Sequence, residues 1–136
     1  MEATNVTQAT GSATGGVRIM LRLEGLALFA VMMLLYLHWG ASWWLFALLF
    51  LAPDFSFIAY LAGPKIGALV YNAAHSTMAP IALMALGIAL IAPMMLSLAT
   101  IWLAHIGIDR SLGYGLKYSA GFAFTHLGRI GKAATT

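Results

Sequence analysis

Residues 43–66 read WWLFALLFLAPDFSFIAYLAGPKI. These 24 positions hold one acid, Asp54, and one base, Lys65, and they close on Gly63-Pro64, a pair that breaks helices. About 20 apolar residues cross the hydrocarbon core of a bilayer, so the segment predicts a membrane helix followed by a turn. The same pattern extends in both directions. Across the 84 residues from Gly25 to Ile108, Asp54 and Lys65 are the only members of the Asp, Glu, Lys and Arg set, which leaves room for about four spans and almost no loops. The whole chain of 136 residues is 62% hydrophobic and 8% charged, with mean hydropathy +0.90. A water-soluble domain carries charge on about a quarter of its residues.

The expected fold is therefore an all-α polytopic membrane protein with four transmembrane helices and an interfacial C-terminal tail. Residues 1–17, rich in Thr, Ala and Gly, read as a disordered head, without the basic patch and apolar core of a cleaved signal peptide. Helix one is expected from about Val17 to His38 and helix two from about Trp43 to Leu61. Helix three is expected from about Ile66 to Ile91 with a kink at Pro80, and helix four from Pro93 to about Arg110. Trp39, Trp43 and Trp44 form an aromatic belt at one interface. All seven basic residues fall on the side shared by the head, the second turn and the tail, an arrangement that places both termini in the cytoplasm of a bacterial inner-membrane protein. The tail, 111–136, mixes Tyr114, Tyr118, Phe122 and Phe124 with glycines and bases, as a headgroup-level anchor or a lid over a cytoplasm-facing site would.

Composition also excludes functions. With no cysteine there are no disulfides, thiolate metal sites or cysteine nucleophiles. A net charge of +3 is a topology signal rather than a nucleic-acid footprint. No phosphate-binding Gly-rich loop and no Gly-x-Ser-x-Gly elbow is present. The partners that remain are the bilayer, a lipid-like substrate and, because four short helices enclose little volume, further copies of the chain.

Ionisable side chains in lipid pair or line cavities, so their depth matters. Asp54 lies eleven positions before Lys65 and His75 ten after it; at about 1.5 Å per residue both sit roughly 15 Å deep on neighbouring antiparallel helices. The same count puts Asn72 at roughly 10 Å and His105 at roughly 7 Å. His105 and Asp109 are spaced i and i+4, and Asn72, His75 and Ser76 are i, i+3 and i+4, so each set shares a helix face. Two histidines and two aspartates are suitable ligands for a divalent metal, zinc or manganese. Asp54, His75, His105 and Asp109 are the expected metal ligands, with Asn72 and Ser76 as other polar residues of the cavity and Glu24 as a candidate general base. A depth difference of roughly 8 Å between the two histidines argues against a haem clamped by both. The alternative is a non-enzymatic carrier or assembly protein, in which the same residues form a structural or proton-relay network.

At Leu21-Arg22-Leu23-Glu24-Gly25, Ala52-Pro53-Asp54, Tyr71-Asn72-x-x-His75 and His105 through Tyr118, the chain resembles an uncharacterised bacterial membrane family known as domain-of-unknown-function family 4260. A second resemblance is to bacterial membrane-bound metal-dependent hydrolases, through Pro53-Asp54, His75-Ser76 and His105-x-x-x-Asp109 followed by Gly113. That likeness implies the same four metal ligands and hydrolytic chemistry. The chain departs from it at Ser56 and Val70, where a second aspartate and a further histidine would stand.

Overall fold

The computed structural model describes residues 11–39 and 41–130. Five α-helices carry the fold: α1 (Gly15–Trp39), α2 (Trp43–Phe50), α3 (Pro64–His75), α4 (Met78–Ala89) and α5 (Pro93–Leu112). A 3-10 helix, Ala52–Ala62, lies between α2 and α3, and two short strands, β1 (Phe124–Thr125) and β2 (Gly128–Arg129), pair antiparallel in the tail. The chain is thus predominantly helical. Gly15–Trp39, Trp43–Ala62 and Pro64–Ala89 are each long and apolar enough to cross a membrane. Helix α5 is as long as the second of these but carries His105, Asp109 and Arg110, which lower its hydropathy, and it is the most buried element.

The expected second helix is two elements. Pro53 has no N–H to give the carbonyl four residues back, and α2 stops at Phe50. The chain then continues for 11 residues as a 3-10 helix, in which side chains three apart eclipse each other. The sequence suits that period. Phe55, Ile58 and Leu61 point outward, 63–90% exposed, while Asp54 and Tyr60 on a neighbouring row are half-buried.

The expected third helix is also divided, and not at Pro80. The break falls at Ser76–Thr77, because a proline ring obstructs the carbonyl four residues before it, here that of Ser76. Pro80 itself sits in the first turn of α4, where a missing N–H costs nothing.

Helices α1 and α5 cross at a pair of glycines. A Cβ on Gly25 would lie 2.8 Å from the Gly107 carbonyl oxygen, and one on Gly107 would lie 2.7 Å from the Phe29 nitrogen. Backbones touch there, the small-residue contact that drives helix association in lipid. Above it, Met32, Leu103 and Ala104 form a core capped by Phe46, Phe50 and Met84.

Helices α4 and α5 both end in paired 6→1 and 5→2 backbone bonds. At α5 these are Tyr114 N–H to Asp109 O and Gly113 N–H to Arg110 O; at α4 they are Ala92 N–H to Gly87 O and Ile91 N–H to Ile88 O. Gly113 suits its positive φ of 91°, whereas Ile91, at φ 52°, puts a β-branched residue in the left-handed region.

The tail is folded rather than lying loosely at the interface. Thr125 bridges to Lys117 as well as capping the β1–β2 hairpin. Part of the expected disordered head joins it: Ala13 N–H donates to the His126 carbonyl (2.7 Å), Ser12 Oγ to the Thr125 carbonyl (3.1 Å) and Tyr118 Oη to the Gly11 carbonyl. Asn5, with its glycosylation-like triplet, lies outside the described residues.

Two substitutions should have opposite effects on thermal unfolding in detergent. Gly25→Ala forces the α1–α5 backbones apart and should cost about 1–3 kcal/mol. Ile91→Gly relieves the left-handed strain, about 1–2 kcal/mol less the entropy cost of glycine, and should raise the midpoint. A Gly25→Ala protein as stable as the parent would contradict the close crossing.

Candidate metal centre

Each of four side chains reaches the centre from a position that its local sequence dictates. Asp54 stands in the first turn of the 3-10 helix, just past the break made by Pro53. His75 is the last residue of α3, at the break made by Pro80. His105 and Asp109 are one turn apart on α5. The ligating atoms of all four lie within 4.8 Å of one another. His75 Nε2 is 3.2 Å from His105 Nε2 and 3.5 Å from both Asp54 Oδ1 and Asp109 Oδ2. His105 Nε2 is 3.4 Å from Asp54 Oδ1 and 3.2 Å from Asp109 Oδ2.

The surroundings fix these groups. His75 Nδ1 donates to the Tyr71 carbonyl (2.9 Å), which leaves the Nε2 lone pair facing the centre. The Tyr71 ring stacks on the His75 imidazole, centroids 3.8 Å apart and nearly parallel at 10°. Phe50 meets His105 edge-on, and His105 Nδ1 is buried without a hydrogen-bond partner among the described residues. Trp102 Nε1 donates to the Ala74 carbonyl (2.6 Å), which α3 leaves free by ending at His75. The two imidazoles are 4% and 2% exposed and Asp109 is 16%, while Asp54 is 35% exposed, so the centre opens on the Asp54 side. This His/Asp group can hold a metal ion.

The depth count needs correction. It placed His105 roughly 8 Å nearer the surface than His75, whereas their Nε2 atoms are 3.2 Å apart. The count took Lys65 and Arg110 as level. They are not level, and the 3-10 helix that carries Asp54 rises about 2.0 Å per residue instead of 1.5 Å. Haem is still excluded, for a different reason: nitrogens 3.2 Å apart leave no space for a macrocycle between them.

Other candidate residues stand elsewhere. Glu24 is on the exposed face of α1 and outside the group of four. Ser76 Oγ accepts from the Met78 N–H (3.3 Å) at the start of α4. Asn72 clamps the tail: its Nδ2 donates to the Lys117 carbonyl (2.7 Å) and its Oδ1 accepts the Lys117 N–H (2.6 Å). His126 also serves the tail, accepting the Leu116 N–H at Nδ1 (2.9 Å). Burial and the Arg110 charge hold it below the usual histidine range, in the neutral form that bond requires.

Lys117 was not singled out by sequence. It is 4% exposed, with Nζ over the Phe122 ring at 3.7 Å and the Tyr71 ring at 4.9 Å. Burial pushes its ammonium down to about 8, against the opposing pull of Asp109.

The chain belongs to the family described as a domain of unknown function (DUF4260), whose profile matches residues 18–130. No curated protein and no solved structure matches it. The likeness to metal-dependent hydrolases finds no support among these matches.

Asn72→Ala removes both bonds to Lys117 and should cost about 1–3 kcal/mol. Limited trypsin digestion should then cut at Lys117 much faster than in the parent; an unchanged rate would show that the clamp does not hold the tail.

Proposed function

We propose that this protein is a metal-dependent hydrolase of the bacterial cytoplasmic membrane, acting on a lipid-like substrate through a zinc centre at Asp54, His75, His105 and Asp109. One observation carries the reading. Four ligands at zinc's usual distances of about 2.0–2.1 Å span tetrahedral edges of about 3.3–3.4 Å. Five edges of the Asp54–His75–His105–Asp109 figure are 3.2–3.5 Å. Two imidazoles with two carboxylates in this geometry suit zinc better than manganese, which prefers six oxygen ligands. A divalent ion held by these four residues would act as a Lewis acid on a water or substrate oxygen that enters as a fifth ligand from the Asp54 side.

The chain's own residues do the positioning. Tyr71 fixes the His75 tautomer through its carbonyl and the ring plane through stacking, the outer-shell arrangement common for metal-bound histidines. Asp54 leaves the approach open. Beside that opening the outward row Phe55, Ile58 and Leu61 faces where lipid would lie, so the route favours an amphiphile.

The same reading takes Gly15–Trp39, Trp43–Ala62, Pro64–Ala89 and Pro93–Leu112 as four spans, with both ends cytoplasmic. The basic residues support it: Arg22 Nε donates to the Ser111 carbonyl (2.8 Å) and Arg18 lies against Gly128, so the charges of the head and tail gather at one end of the α1–α5 pair.

Elemental analysis of detergent-purified protein should find about one zinc per chain. His75→Ala and Asp54→Asn should lose it while circular dichroism keeps the helical signal. A metal-free parent whose Asp54→Asn variant fails to assemble would replace the enzyme reading with a structural network.

A further inference from the structure

The centre and its surroundings also define the charge of what it takes, an inference that rests on the metal reading above. Asp54 and Asp109 together cancel a divalent ion, and both histidines are neutral ligands. Lys117 is then a cationic residue enclosed beside the centre. The residue is 4% exposed, yet among the described residues no carboxylate comes within ion-pair distance of it and its Nζ makes no hydrogen bond. Only ring faces hold it: Phe122 on one side, and on the other Tyr71, whose ring also stacks on His75.

An ammonium on a residue this enclosed, with no hydrogen bond to any of its three donors, is left to whatever anion reaches its small remaining exposed face. Its placement is nevertheless enforced, since Asn72 binds both the N–H and the carbonyl of this one residue. Phe122 packs in turn on Phe57 and Tyr60 of the 3-10 helix, so the ammonium stands beside the element that carries Asp54 and the opening.

We propose that Lys117 is a substrate-binding residue and that the substrate presents a monoanionic phosphoryl group to the centre, the phosphodiester of a membrane lipid. Such an anion gives the Lys117 ammonium the partner that it lacks among the described residues. The apolar row Phe55, Ile58 and Leu61 beside the opening receives the acyl chains.

Cobalt-substituted protein in detergent tests this, because the visible spectrum of the ion responds to ligands entering the centre. The probes are dihexanoyl-phosphatidylglycerol, inorganic phosphate and uncharged dihexanoylglycerol. In the parent protein the lipid should shift the spectrum and saturate at lower concentration than phosphate, and dihexanoylglycerol should do nothing. Lys117→Met should keep the cobalt stoichiometry and weaken lipid binding at least tenfold, and Lys117→Arg should restore most of it. Should Lys117→Met lose cobalt, Lys117→Gln serves the same comparison.

Equal lipid affinity in the uncharged variant and the parent, or an equal response to dihexanoylglycerol, would overturn the proposal while leaving the metal centre intact. Tighter binding of phosphate than of the lipid would overturn the lipid source and assign a free phosphate. A parent that takes up no cobalt would overturn the metal reading, and this inference with it.

Discussion

Two imidazole nitrogens 3.2 Å apart, each within 3.5 Å of the same two carboxylate oxygens, form a group that can hold a metal ion. Because His75 donates its Nδ1–H to the Tyr71 carbonyl, the neutral imidazole turns its Nε2 lone pair to the centre of this group. Enclosed charged and polar groups are costly unless each finds a partner, and the four side chains find theirs in one another. Much of the fold can be understood as what holds four such side chains in place.

The expected second and third helices both break beside the centre, and enclosed non-helical backbone persists only where its polar groups find partners. Here they do. The Ser56 hydroxyl donates to the Pro53 carbonyl (2.7 Å), Trp102 to Ala74 and His75 to Tyr71. The prolines that interrupt the helices thus place Asp54 and His75 at helix ends, and the side chains near those ends repair the backbone. Opposite them α5 stays unbroken and presents His105 and Asp109 from one face, supported from behind by the Gly25–Gly107 crossing with α1.

The four candidate ligands were legible in the sequence because few ionisable residues occur among so many apolar ones. The i, i+4 spacing of His105 and Asp109, and the near-equal distances of Asp54 and His75 from Lys65, brought them to one region. Other features were read in the wrong place for physical reasons. Pro80 acts on the carbonyl four residues earlier, so the break belongs at Ser76. The three-residue repeat Phe55, Ile58, Leu61 marks a 3-10 helix, a signal that a reading tuned to a 3.6-residue period passes over. Asn72 shares a helix face with His75 but is turned to the tail, whose fold depends on pairings such as Lys117 with Thr125 that no local pattern announces. Lys117 looked like one more surface base for the same reason: only the long-range bonds to Asn72 bury it.

X-ray absorption at the zinc edge of the purified protein reads the ligands of a bound ion directly. A zinc held by Asp54, His75, His105 and Asp109 should give a four-coordinate centre with only nitrogen and oxygen ligands at about 2.0–2.1 Å, including the outer-shell scattering of two imidazoles. A six-coordinate all-oxygen shell, or a centre whose spectrum keeps both imidazoles after His75→Ala, would contradict it.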